Sequence, residues 1–304
     1  MTKIITEKAI ERRNFWIEEI RKISGNFGDD FEKLKIELEK EINDEGILVL
    51  IDHLRLCGSI PESYSHDSSE EKLYSKYTDC LLALTFNALG LKSLVLTERS
   101  DAADVEVVGN DFSFVADAKA FRLSRTAKNQ KDFKVDAMHG WKRGKTNAMV
   151  VAPIYQLPRA SSQIYQSALI RDVCIFTYSH LSLLLNFLSI EGEAKTQALL
   201  HKVFKAVPLI PPSKNSTDYW MGINKTLFEF SESIEKLWLE EKQASIESIR
   251  IAKEVDLTFL ARQREQIMKM SHKEALEELI RVKKIDSKII TINEVDDNGL
   301  FEIK

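Results

Sequence analysis

Apolar positions recur at close to helical spacing over the first fifty residues. Phe31, Leu34, Ile36, Leu38 and Ile42, with charges between them, predict amphipathic helix. Gly58 through Ser69, rich in Ser and carrying His66 and Asp67, reads as a loop. A strong helical pattern follows from Ser69 to Leu89. Ser68 or Ser69 is placed to cap it, and Glu70 and Glu71 lie in its first turn, where the helix dipole favours anions. Gly90 closes it.

The period then drops from 3.6 to 2. Leu94–Thr97 predicts a short strand, and Asp104–Val108 and Phe112–Lys119 alternate on either side of a Gly109-Asn-Asp111 turn. That is a hairpin. Thr126–Trp141 returns to a helical pattern. Asn147–Ile154 predicts a buried strand, Ser161–Ile170 a helix and Val173–Tyr178 a further strand. The order from residue 69 is helix, three strands, helix, strand, helix, strand, which is a mixed α/β core. Beyond Leu183 the pattern is mostly helical. Pro208–Thr217 is a connector, and long charged helices are expected over Asp218–Lys253 and Leu257–Lys284, as a layer on the core or a dimerisation surface. We therefore expect one elaborated domain over 1–304, with an N-terminal helical part at 1–60, a core at about 69–190 and a C-terminal helical part from about 191.

Composition changes this picture little. Apolar residues make up 44% and charged residues 30% of 304, which excludes a disordered or fibrous chain. Val173–Ile190 has no Asp, Glu, Lys or Arg, but Thr177, Tyr178, Ser179, His180, Ser182, Asn186 and Ser189 interrupt it. A buried strand feeding a helix capped by Ser179 fits better than a membrane span. Cys57, Cys80 and Cys174 offer no disulfide framework, and the first residues have no apolar signal run. A reduced, cytoplasmic protein is expected.

Charge changes the picture more. The formal net charge of −4 taken alone disfavours a nucleic-acid partner. Yet residues 119–145 hold nine cations against two anions, a net +7, which leaves −11 for the remainder. Basic residues recur at every third position from Arg122 to Lys134. On a helix they would make a slanting cationic face suited to a phosphate backbone, although a solvated basic helix looks the same.

The hairpin beside this segment carries the candidate chemistry. Residues two apart on a strand share a face, so Asp117 and Lys119 point the same way. With Asn110-Asp111 as the loop, Asp104 lies directly opposite Asp117. With Gly109-Asn110 it lies opposite Val115, one pleat away. Both registers put Asp104 on the face of Asp117 and Lys119, and leave Val105, Val107, Phe114, Ala116 and Ala118 as an apolar face. Two converging carboxylates favour a hard cation such as Mg²⁺, and the Ala118 carbonyl can add an oxygen. A nearby ammonium suits phosphodiester hydrolysis. Taken alone, Asp-Ala-Lys is also what a solvated strand face with a surface ion pair looks like, worth at most about 1 kcal/mol.

Asp104, Asp117-Ala-Lys119 and the αβββαβ order resemble the PD-(D/E)xK nuclease superfamily, with Ala103 where that pattern has Pro. Val115–Lys119 followed by Phe121–Val135 resembles the HindIII-type restriction endonucleases nearly word for word. So do Glu71-Lys-Leu with Ser75-Lys76, and Ser287-Lys-Ile with Thr291-Ile292. The resemblance implies a restriction-endonuclease-like mixed sheet. It implies a homodimeric, Mg²⁺-dependent type II enzyme that cuts double-stranded DNA at the palindrome AAGCTT, between the adenines, leaving 5′-phosphates. It further implies a bacterial cytoplasmic setting and a cognate DNA methyltransferase. Asp104, Asp117 and Lys119 take the catalytic positions, with Asp104, Asp117 and Ala118 as metal ligands. Glu71 is the expected auxiliary acid, with Glu70, Asp79 and Glu98 as competitors. Arg122, Ser124, Arg125, Lys128, Asn129, Lys131, Asp132 and Lys134 are the expected DNA contacts. A structure-specific repair or recombination nuclease, or a non-catalytic DNA-binding protein, are the alternatives on the same fold.

Overall fold

The period-two segments form one sheet. The computed structural model describes residues 3–23, 25, 27–96, 102–125 and 130–294. Among these, β1 (Lys92–Val95), β2 (Val105–Val108), β3 (Ser113–Ala118), β4 (Asn147–Ala152) and β5 (Val173–Thr177) lie side by side in chain order. The first two pairings are antiparallel and the last two parallel, so β3 is the central strand. Parallel pairing requires covered faces. Accordingly β3 is buried on both faces: Phe114, Ala116 and Ala118 on one, Val115 and Asp117 on the other. The apolar face expected at Val105, Val107, Phe114, Ala116 and Ala118 is core, but the opposite face is covered as well.

Helices α1 (Glu7–Ile23), α2 (Phe27–Glu45) and α3 (Ile47–Leu56) precede α4 (Ser69–Ala88). In α2 the buried face is Phe31, Leu34 and Leu38, whereas Ile36 is exposed, because it falls off the i, i+3, i+7 stripe. Ser68 is the cap of α4; its hydroxyl accepts from the Glu71 N–H at 3.2 Å. Gly90 follows with φ 78°, a conformation open to glycine. Helix α4 packs on β1, β2 and β3, and its Phe86 ring meets Phe114 edge-on at 4.9 Å.

Several element expectations shift, and among them the one helix expected over Asp218–Lys253 is broken at 229–232. The helix expected over Thr126–Trp141 is not continuous where it is described. It comprises α5 (Gln130–Phe133) and α6 (Val135–Trp141), separated by Lys134 in the left-handed region at φ 50°. Positions 126–129 lie outside the described residues. Strand β4 stops at Ala152 because Pro153 has no N–H to donate, and a 3₁₀ turn, Ile154–Gln156, follows. Ser179 does not cap the next helix, α8 (Tyr178–Glu191). Thr177 does, its hydroxyl accepting from the His180 N–H at 3.2 Å. Between β4 and β5 lies α7 (Gln163–Ile170), and beyond α8 come α9 (Glu193–Ala206) and α10 (Ser216–Phe228). The following helix, α11 (Ser233–Lys269), runs unbroken through the expected gap at 254–256, since nothing there breaks a helix.

Contacts divide the chain into two compact units, Met1–Asp256 and Leu257–Lys304. In the second, α12 (His272–Val282) begins with a capping box between Ser271 and Glu274, and α13 (Ile285–Asn293) follows it; neither buries a residue. No helix among the described residues is long and apolar enough to cross a membrane.

Phe114 lies at the centre of the larger core, with rings of Phe86 and Phe204 within 4.9 Å and 4.8 Å of its own. Phe114→Ala should destabilise the protein by about 3–5 kcal/mol, through lost transfer energy and a residual cavity. Chemical denaturation checks this, and a loss well under 1 kcal/mol would show that the core is not tightly packed there.

Candidate active site

The hairpin register decides where the carboxylates meet. Gly109 N–H donates to Phe112 O at 2.9 Å, so the loop is Asn110-Asp111. Val105 pairs with Ala116. One further step along that register sets Asp104 directly opposite Asp117, the first of the two registers above. The Asp104 carbonyl accepts from the Leu96 N–H at 2.8 Å, which ties it to the end of β1. Lys119 follows β3; its N–H donates to Val151 O at 2.7 Å, and the Tyr178 hydroxyl donates to its carbonyl at 3.0 Å. The main chain at the lysine is thus held from both sides.

The side chains form three linked ion pairs. Lys119 Nζ lies 2.5 Å from Asp117 Oδ2. Lys76 Nζ, from α4, lies 2.9 Å from Asp79 Oδ2 and 3.3 Å from Asp104 Oδ1. Asp117 is completely buried, and apart from Lys119 and Asp104 its carboxylate oxygens have no hydrogen-bond partner. Burial raises its pKa, and neighbouring Asp104 adds to this, against the pull of Lys119. Burial also acts to raise Asp104, but the proton shared with Asp117, together with Lys76, Lys119 and Lys134, outweighs it and holds Asp104 below its usual value. The pair therefore favours one proton between two carboxyl groups, carried on Asp117. Burial works against the Lys119 ammonium, yet Asp117, Asp104 and Asp79 more than compensate and raise it. Lys119 stays charged through the neutral range. Asp79, fully buried beside Asp104, is raised well above the carboxylate range.

This arrangement suits a hard divalent cation. Hard oxygen donors converge, and apart from Lys119 and the proton shared with Asp104 the buried Asp117 oxygens have no donor. The β2 pairing ends at Ala116, so the Ala118 carbonyl lies past the end of that ladder.

The profile of the HindIII restriction endonuclease family matches residues 13–296. The chain is also similar to the type II restriction enzyme HindIII of Haemophilus influenzae, at 34% identity over 247 residues. That alignment covers 80% of this chain and 82% of the relative. The chain belongs to the HindIII restriction endonuclease family. It is a type II site-specific deoxyribonuclease, with DNA as substrate, and enzymes of this type are generally metal-dependent.

Within this HindIII-family chain, not every expected residue reaches the carboxylates. Asp104, Asp117 and Lys119 come together. Glu71 does not join them: its carboxylate takes the Arg122 Nε at 3.2 Å and the Asp67 N–H at 2.7 Å. It lies eight residues before Asp79, about 12 Å along the helix axis. Asp79, about two turns further along the helix, lies against Lys76 and beside Asp104 instead. Its signal was a lone charge in the otherwise uncharged run from Tyr77 to Leu82. Lys76 was missed as a site residue; its signal is the i, i+3 spacing to that acid. A further exposed group of ligand type, His66, Asp67 and Glu71, surrounds the loop before α4.

The basic segment also differs from expectation. Residues 122–125 form a turn, not a helix, so Arg122 and Arg125 lie on no helical stripe. Arg122 points inward. Beyond Glu71, it donates to the carbonyls of Tyr64 at 2.8 Å and Ser65 at 3.1 Å, tying down the loop before α4. Arg125 pairs with Asp132 and lies over the Phe121 ring. Lys145 pairs with Glu106 at 2.8 Å. Ser124 is exposed, its N–H donating to Glu62. Lys134 is exposed, 5.3 Å over the half-buried Trp141 ring, and its charge reaches Asp104. Lys128 and Asn129 lie outside the described residues, as does the side chain of Lys131.

The raised Asp117 gives a prediction with a definite sign. A raised folded-state pKa gives stability that is present at low pH and lost as pH climbs through the raised value. Asp117→Asn mimics the protonated form. In EDTA its stability relative to the parent should therefore increase between about pH 5 and about pH 8. Denaturation at the two pH values tests this, and a pH-independent difference would refute the protonated carboxyl.

Proposed function

We propose that the protein cuts double-stranded DNA at the palindrome AAGCTT, between the two adenines, with Mg²⁺ as cofactor and 5′-phosphate ends. One observation carries this: Asp104 and Asp117 oppose each other at the end of the central strand, with Lys119 against them, in a chain of the HindIII family. The near-verbatim resemblance of Val115–Val135 to HindIII-type enzymes supports the particular sequence. The sheet is restriction-endonuclease-like, with an αβββαβ core at about 69–190, and 1–60 and 191–304 as additions within one elaborated domain.

Asp104, Asp117 and the Ala118 carbonyl would hold Mg²⁺. When bound, the ion supplies Lewis-acid neutralisation of charge on the scissile phosphate. Asp117 fixes the Lys119 ammonium, which orients the attacking water and stabilises negative charge growing on the phosphate oxygens. The water displaces the 3′ oxygen in line, leaving the phosphate on the 5′ end. Asp79 is the auxiliary acid in place of Glu71. Ser124, Lys128, Asn129, Lys131 and Lys134 contact DNA, while Arg122 and the Arg125–Asp132 pair shape the segment that carries them.

Two copies act on the palindrome. The apolar side chains of Leu276, Leu279, Val282, Ile289 and Ile292, exposed on α12 and α13, favour self-association. A bacterial cytoplasmic setting and a methyltransferase protecting the same sequence complete the proposal.

Plasmid DNA digested with Mg²⁺ or with EDTA, with the ends sequenced, tests the function. Discrete Mg²⁺-dependent fragments ending at AAGCTT are expected; smears or junction-specific cuts would favour a structure-specific nuclease. Lys119→Ala should lose cleavage by about 100-fold or more while keeping specific binding. Full cleavage by that variant would remove Lys119 from the mechanism.

A further inference from the structure

Two ammonium groups occupy the carboxylate cluster, and they stand in different places. Lys119 comes from the sheet and holds Asp117. Lys76 comes from α4 and spans Asp79, at 2.9 Å, and Asp104, at 3.3 Å. Its side chain is 20% exposed, against 4% for Asp79, so it closes the site on the solvent side of the buried acid. The lysine is positioned for this by its own helix: Asp79 is three residues on, on the same face.

The charges explain why a second cation is there. Asp79, Asp104 and Asp117 can carry three negative charges in a largely buried space. Buried charge without a partner is strongly disfavoured. With one proton shared between Asp104 and Asp117, Lys119 and Lys76 already balance or exceed the negative charge that is left. A divalent cation taking oxygens of Asp104 and Asp117 would turn the cluster positive with Lys76 still on Asp104. A DNA phosphate brings the negative charge that restores balance.

We infer that Lys76 is a resident counter-cation that holds Asp79 and Asp104 in the DNA-free protein and opposes divalent-metal binding there until a DNA phosphate arrives. It is a positioning residue, acting through Asp104. The inference rests on the nuclease function proposed above. It makes metal occupancy depend on substrate, so that a chain with a preformed site does not hold a charged metal centre in the absence of DNA.

The test is Mn²⁺ binding, read by electron paramagnetic resonance and by calorimetry, to the full-length protein without DNA and with an uncleavable phosphorothioate duplex. Lys76→Met removes the charge and keeps much of the side-chain length. It should bind Mn²⁺ at least about tenfold tighter than the parent without DNA, and gain less affinity than the parent when the duplex is added. Lys76→Arg keeps the charge and should bind as weakly as the parent. Unchanged or weaker DNA-free binding by Lys76→Met would overturn the inference. If Lys76→Met does not fold because Asp79 is left unpaired, Lys76→Gln, whose uncharged amide can still donate to Asp79, takes its place, and the same tightening is required of it. The two failures are separable. Parent protein that binds Mn²⁺ with DNA and cleaves, alongside Lys76→Met with unshifted affinity, sinks only this inference. Parent protein that binds no Mn²⁺ even with DNA, and matches Asp117→Asn in that, sinks the metal-dependent mechanism proposed above and the inference with it.

Discussion

Two carboxylates forced to face each other across a hairpin are the constraint around which the rest is arranged. Asp104 and Asp117 are opposed by strand register, so neither can retreat to solvent without breaking the pairing that buries Val105, Val107 and Phe114. In water such a pair would simply separate. Here the repulsion is met by a shared proton, by Lys119 on one side and by Lys76 on the other. The central position of β3 makes the problem acute, since helices cover both faces of the strand and exclude water from Asp117. Covering also gives the site its use. Charges kept out of water act on one another strongly, and their placement is determined by backbone rather than by flexible side chains.

Much of the core was legible because it follows from periodicity. Alternation from Asp104 to Lys119 predicted the hairpin and the shared face of three site residues. The choice between registers was not legible, because both loops satisfy the same alternation; the Gly109–Phe112 hydrogen bond decided it. Ends of elements moved where local chemistry intervened, as with the Thr177 cap and the donorless Pro153. Lys134 broke a helix that composition alone would continue. Which acid of α4 would stand beside the pair was not legible for a different reason. Glu71 and Asp79 are both acids on one helix, and only tertiary packing shows which end of that helix meets the sheet.

The basic segment shows how far a charge count can mislead in both directions. A net of −4 concealed +7 in residues 119–145, but that +7 is not all available to phosphate. Lys119, Arg122, Arg125 and Lys145 each hold a carboxylate of the protein itself. Arg122 in particular ties the loop before α4 to the strand end, linking the basic segment to the helix that carries Lys76 and Asp79. Charge is therefore used twice, as internal strut and as outward field, and only the second use was visible in the count.

The two-residue turn at Asn110-Asp111 has an evolutionary consequence. Surface turns ordinarily tolerate insertions and deletions well. Here a slip of one residue would rotate β2 by half a pleat, send Asp104 to the side of Val105's present neighbours and turn Val105 towards Lys119. A length change there would thus erase the reaction and disturb the core together. The turn is therefore open to substitution but closed to insertion or deletion, whereas a connection whose register no carboxylate depends on is free to change length.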